Sequence, residues 1–290
     1  MASGASGSSG NSGSNQDRLL KRIVAALAPL PGIDAIVLGG SRARGTALPD
    51  SDCDIGLYYD PRHPFDTALL QTALARLADA PASLTPLGGW GPWIDGGGWL
   101  SVDGRRVDLL YRDLHRMRAA IDDCCMGRIA THYQPGHPHG FVSSTYMGEV
   151  AHGRALWDPT NAFGAMKRLT APYPGALRAA LEQAFQWEAE CALANAENSL
   201  GHGDACYVSG CAFRSVASLC QVLFALNGEY LLDEKDAVAR ADGFTLAPRH
   251  FRDGVASVFQ DIGAGHPEDG LERLRQMVRE TAALARGGDV

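Results

Sequence analysis

Two long apolar-periodic segments, residues 177–200 and 205–226, are separated only by Gly201-His202-Gly203-Asp204. A connection that short makes two helices run antiparallel and side by side, so this part of the chain must fold as a helical hairpin or bundle. Residues 271–284 repeat the same spacing and predict one more helix. Before about Pro174 the pattern is different. Residues 17–27 place Leu20, Ile23, Val24 and Leu27 on one helical stripe, which Pro29 and Pro31 end. Residues 35–38 form a short apolar run closed by Gly39-Gly40, which reads as a buried strand and a tight turn. A short helix is expected over 41–48, a strand over 54–59 stopped by Pro61, and a helix over 65–78. The runs 99–102 and 105–111 flank Asp103-Gly104, a two-residue connection suited to a type I′ hairpin turn. The His-, Pro- and Gly-rich stretch 132–141 reads as a loop.

The expected organisation is a mixed α/β domain over 16–150 and an all-α helical domain over 151–290. They follow a Gly/Ser-rich tail, residues 1–15, that is expected to be disordered. The formal net charge of −7 over 290 residues argues against a general nucleic-acid binder, which carries a basic footprint. The seven cysteines include no Cys-x-x-Cys pair and several lie in apolar helical patterns. They are expected to be reduced core thiols of a cytoplasmic protein. No run approaches eighteen apolar residues, so no membrane span is expected. Neither a Walker A motif nor a dinucleotide glycine fingerprint is present.

The chemistry concentrates in Gly39-Gly40-Ser41-Arg42-Ala43-Arg44-Gly45 and Asp50-Ser51-Asp52-Cys53-Asp54. Asp52 and Asp54, two apart at the start of a strand, share a face with Cβ atoms roughly 6–7 Å apart. A Mg²⁺ ion with ligands at about 2.1 Å fits between them and keeps positions open for phosphate oxygens. Gly39 and Gly40 permit close backbone approach, and Ser41 adds a hydroxyl at a helix N-terminus, which makes an anion site. Asp108, within the apolar run Arg106-Val107-Asp108-Leu109-Leu110, needs a metal, a cation or a hydrogen bond to offset its burial. It is expected to complete a two-metal site or to take the acceptor's proton.

Taken together, Gly-Gly-Ser, a gap of about ten residues, Asp-x-Asp and a distant single Asp resemble the polymerase-β-like nucleotidyltransferase superfamily. Gly40, Ser41, Asp52, Asp54 and Asp108 match its pattern one by one, and Arg44 and Gly45 match its minimal branch. The resemblance covers roughly residues 35–111. It implies a nucleotidyltransferase core with a small mixed sheet, followed by the helical bundle. It implies two Mg²⁺ ions held by Asp52, Asp54 and Asp108. It implies an NTP, ATP first, held by Gly39, Gly40, Ser41 and Arg44, and NMP transfer to a hydroxyl with release of pyrophosphate. The helical part is similar, more loosely, to the helical domains of streptomycin and kanamycin nucleotidyltransferases. That likeness makes Arg214 and Lys235 candidate triphosphate contacts and a small molecule, an antibiotic among others, the candidate acceptor.

Plainer readings stand beside these. Arg42 and Arg44 could brace the loop through Asp50, and Arg105 or Arg106 could hold Asp108 structurally. Glu188 could be a general base or lie on a solvated face. His132, His137 and His139 are expected to sit in a surface loop rather than on zinc. Trp90, Trp93 and Trp99 could line a base or substrate pocket, with packing the plainer expectation. Two other functions use the same residues: an antitoxin-like enzyme that modifies a protein or RNA, and a non-catalytic nucleotide-binding module. The long helical extension favours the small-molecule enzyme over the first, and the three aspartates argue against the second.

Overall fold

A computed structural model describes residues 9–48 and 50–287. The expected tail falls partly on residues 1–8, outside the described residues. Over 9–15 the expectation is corrected, because the first helix, α1, spans Ser9–Leu27. Leu19, Leu20, Ile23 and Leu27 anchor its buried face, and a helix anchored in this way extends without a new nucleus.

The next elements in order are β1 (Ala35–Leu38), α2 (Gly40–Arg44), β2 (Cys53–Tyr59), α3 (Thr67–Leu74), β3 (Ser83–Leu84), β4 (Gly96–Val102) and β5 (Arg105–Asp113). Then come α4 (Leu114–Cys125), β6 (Thr131–His132), β7 (Phe141–Val142), α5 (Thr145–His152), β8 (Arg154–Trp157) and α6 (Ala162–Lys167). The remainder is helical: α7 (Gly175–Asn198), α8 (Ala205–Leu226), α9 (Ala237–Asp242), α10 (Phe251–Gly263) and α11 (Pro267–Ala285).

Six strands form a mixed sheet in the order β3-β4-β5-β2-β1-β8. Only the β2–β5 pair is parallel. Asp103 and Gly104 both have positive φ, 53° and 71°, as the type I′ turn between β4 and β5 demands. Alternation splits β2 cleanly. Cys53, Ile55, Leu57 and Tyr59 enter a core with Val107, Leu109 and Tyr111 of β5, which α1 and α3 cover. Asp54, Gly56 and Tyr58 therefore face the other way. That second face carries the polar chemistry.

The chain divides into two compact units that are not the expected consecutive domains. Residues 149–169 return to the sheet unit, and residues 120–148 belong with the helices. The single boundary at 150/151 is corrected to three crossings. The causes are specific. β8 pairs with β1, and Glu149 holds Arg112, which ties 149–169 to the sheet. Glu234 Oε1 accepts from the His139 N–H, and the His139 carbonyl accepts from Arg214 of α8, which ties 120–148 to the helical unit. That unit is thus not purely helical, since β6 and β7 form a small antiparallel ribbon within the stretch expected as loop.

In the helical unit α7 and α8 pack together as the expected hairpin, and Ser215 Oγ donates to the Ala189 carbonyl at 2.9 Å between them. α8 is long and apolar enough, by length and composition alone, to cross a membrane. Yet 72% of its most apolar window is buried among protein, as in the central helix of a bundle. All seven cysteines are free. Cys53, Cys124 and Cys220 are buried, whereas Cys206 is exposed and so is not the core thiol expected of it.

Candidate active site

The turn after β1 is locked to β2. The Gly39 N–H donates to the Asp54 carbonyl at 2.8 Å, and Gly40 follows with φ +61°. A Cβ placed on Gly40 would overlap Asp54 Oδ2. Gly40 is therefore required twice, for its left-handed backbone and for the space that the Asp54 carboxylate fills. Gly39 has an ordinary φ of −112°, and a Cβ there would meet Asp54 only at 3.7 Å. The two glycines should separate in a mutant test. Gly40→Ala is expected to forfeit about 1–2 kcal/mol of backbone energy and to turn Asp54 aside. Nucleotidyl transfer should then fall at least about tenfold below that of Gly39→Ala. Equal activities of the two variants, measured side by side, would contradict the coupling of turn and carboxylate.

Arg42 braces the loop between α2 and β2. Its Nε donates to the Asp52 carbonyl at 2.9 Å and the Ser51 carbonyl at 3.1 Å, and its Nη1 to Gln16 Oε1 at 3.2 Å. The bracing reading holds for Arg42, through backbone carbonyls rather than through Asp50. Arg44 is half-buried and makes no ion pair among the described residues.

Register assembles the carboxylates. Asp54 and Asp108 are direct partners across the parallel β2–β5 pair, so both side chains leave the same face of neighbouring strands. Both are half-buried. Asp52 lies one residue before β2, with its Oδ2 3.2 Å from Arg106 Nη2. Arg106 thus serves Asp52, a pairing that the sequence did not suggest. Cys53, between the two aspartates, points into the core, where burial raises its thiol to about 11. It stays neutral and has no part in the chemistry.

Two charged residues on this face escape sequence reasoning. Arg112, only 5% exposed, donates to both oxygens of Glu149 at 2.7–3.0 Å, and Tyr58 Oη bonds Glu149 Oε1 at 3.1 Å. Arg112 lies four residues beyond Asp108 on the same face. At the same end of β2 but on the core face, Tyr59 Oη donates to Asp95, and burial together with that carboxylate pushes the phenol well above its usual range.

Arg214 and Lys235 belong to the other unit. Arg214 is engaged by Glu188 and by the His139 carbonyl, and Lys235 is exposed. Glu188 is accordingly an ion-pair partner rather than a solvated or free base. His137 Nδ1 stands 3.7 Å from Glu234, and burial lowers the His139 pKa. These histidines belong to an ordered segment beside a cavity of about 560 Å³ that Arg214 also lines.

Residues 18–90 match the family model of the nucleotidyltransferase domain. That segment is a nucleotidyltransferase domain. The matched segment contains the glycine turn, Asp52 and Asp54, and it stops before Asp108. Nucleotidyltransferases act on nucleoside triphosphates, and domains of this family generally use divalent metal ions. Among solved structures the chain is similar to a nucleotidyltransferase-like protein from Exiguobacterium sibiricum. That similarity has 8% identity and a TM-score of 0.44, and it covers 94% of this chain and 77% of the other. No curated protein matches the chain significantly.

Proposed function

We propose that this nucleotidyltransferase moves an NMP, with ATP as the first candidate donor, to a hydroxyl of a small-molecule acceptor and releases pyrophosphate. The reading rests on one observation: the in-register pair Asp54 and Asp108 stands directly beside the Gly39-Gly40-Ser41 turn. Three carboxylates are a hard donor set, which suits Mg²⁺ rather than a thiophilic metal. Among the described residues no three or more His, Cys, Asp or Glu side chains are gathered tightly enough to hold a metal, with Asp52 drawn to Arg106. Asp54 and Asp108, in register on neighbouring strands, supply two of the three carboxylates. Asp52 joins them by giving up Arg106, whose side chain is 69% exposed and whose ion pair is correspondingly weak.

When bound, Mg²⁺, two ions in the full arrangement, neutralises the triphosphate and the charge that develops during in-line displacement. The chain's own residues do the rest. Asp52 and Asp54 would hold the cation beside the turn. The Gly40 and Ser41 backbone and the Ser41 hydroxyl take the β and γ phosphates, with Arg44 as a nearby cation. Asp108 accepts the proton of the acceptor hydroxyl. The roles of Arg214 and Lys235 as triphosphate contacts rest on resemblance, and Arg214 would first have to release Glu188. Seven free thiols suit the reducing cytoplasm.

The test is transfer from α-labelled ATP with Mg²⁺ to a panel of hydroxylated small molecules, run with wild type and Asp108→Ala. Loss of a general base is expected to lower kcat ~10²–10⁴-fold with a far smaller change in KM. A folded Asp108→Ala variant with unchanged kcat would remove Asp108 from the reaction. Label found on a protein or RNA instead of a small molecule would overturn the acceptor class.

A further inference from the structure

β4 places an indole next to the second carboxylate of the site. Trp99 is the cross-strand partner of Asp108, Asp108 is the partner of Asp54, and Asp54 is bonded to Gly39. Four neighbouring segments thus contribute one row: Gly39, Asp54, Asp108, Trp99. Partners in register project from the same face, with strands about 4.8 Å apart. The phosphate turn stands at one end of the row, the carboxylates in the middle and the tryptophan at the other end. With the triphosphate at the turn, an attacking hydroxyl in line with the leaving pyrophosphate comes from the far side of the carboxylates. Trp99 stands on that side.

The indole is both exposed and supported. Trp99 is 50% exposed although it lies inside a paired strand. Trp90 packs against it with ring centroids 4.9 Å apart and planes tilted by 38°. Trp90 lies across Gly97, where a Cβ would come within 2.7 and 2.9 Å of its ring. Gly97 and Trp99 share a face of β4, so the glycine makes room for the second indole to lie on the sheet and buttress the first. An aromatic ring held in place by another ring, with half its surface open beside a carboxylate, is a stacking platform.

We propose that Trp99 is the acceptor-stacking residue of this enzyme, and that the site takes a hydroxyl-bearing ring compound. The ring face lies on the indole and its hydroxyl reaches Asp108. The negative face of the indole favours C–H-rich or positively charged rings, and the carboxylates beside it favour the latter further. Calling this ligand the acceptor rests on the transfer reading above, whereas ring binding at Trp99 does not.

The experiment separates the two. The full chain, with Mg²⁺ and a non-hydrolysable ATP analogue, is titrated with an amino sugar, a neutral cyclic polyol, a phenol and a linear polyol. Binding is read by calorimetry and by saturation-transfer NMR. One or more of the rings should bind and the linear polyol should not. Trp99→Ala should weaken ring binding about tenfold or more, and Trp99→Phe by less, since a phenyl face still stacks. The affinity for the ATP analogue should stay the same in both variants, and melting curves should show both folded. No ring binding to wild type, or equal ring binding to Trp99→Ala, would overturn the proposal. So would a weakened ATP analogue, which would make Trp99 a nucleobase contact. Ring binding that depends on Trp99 without any transfer of label would instead sink the transfer reading and leave this one standing.

Discussion

Asp54→Asn is expected to abolish measurable nucleotidyl transfer while leaving the melting temperature unchanged or slightly higher. Asp54 adjoins both halves of the site. Its Oδ2 fills the space above Gly40, and its backbone partner across the sheet is Asp108. Two carboxylates directly opposite on neighbouring strands repel each other when no cation lies between them. Asparagine keeps the shape, removes that repulsion and removes a metal-ligand charge. Activity and stability should therefore move in different directions, as they do where a site is kept at a cost to the fold. The fall in kcat should exceed the ~10²–10⁴-fold typical of a lost proton acceptor, because cation and phosphate positioning go together. Asp52→Asn should match it in activity and also release Arg106. Initial rates with labelled ATP and a thermal melt on the same preparations decide the matter. Near-wild-type transfer by a folded Asp54→Asn variant would remove the metal assignment.

The part of the site that sequence could specify is the part made by neighbours along the chain. Gly39 to Asp54 is one continuous stretch, so its turn, short helix and strand follow from local rules. The hairpin is equally local. Asp103-Gly104 fixes a two-residue turn, which pairs Val102 with Arg105 and, by counting back, Trp99 with Asp108. The stacking tryptophan was thus legible in principle, because the turn type sets the register. The Asp54–Asp108 pairing was not legible from those local rules, because β2 and β5 are brought together through the sheet, across about fifty intervening residues.

The unit boundaries fail for a related reason. β8 is four residues long, with an Arg and an Ala exposed, and carries none of the alternation that marks a strand. Its place beside β1 is decided by the open edge of the sheet. Likewise Arg42 and Arg106 could each have served phosphate, Asp108 or the loop on sequence grounds. Their contacts with the Asp52 carbonyl and the Asp52 carboxylate come from the three-dimensional course of the loop.

The largest effect on stability is expected from Glu149→Ala. Arg112 is nearly inaccessible, and its guanidinium spends three hydrogen bonds on Glu149 and two on the Ile94 and Tyr111 carbonyls. Removing the carboxylate takes away the charge that faces this buried cation, together with the hydrogen bond between the Tyr58 hydroxyl and Glu149. Breaking a buried pair from one side costs about 3–5 kcal/mol. For a unit of this size that corresponds to a drop of roughly 10 °C in its melting temperature. The chain has two units, so the quantity to follow is the transition of the sheet unit, which holds Trp90, Trp93, Trp99 and Trp157 and so dominates the fluorescence, with Trp187 in the other unit. The double variant Arg112→Met with Glu149→Leu removes both charges and should recover much of the loss, because an apolar pair of similar volume has no charge to desolvate. That recovery distinguishes an ion pair from simple packing at position 149. If Glu149→Ala melts within a degree or two of wild type, the pair does not hold the second face of the sheet. If the double variant is worse than the single one, the shape of the arginine side chain matters there more than its charge.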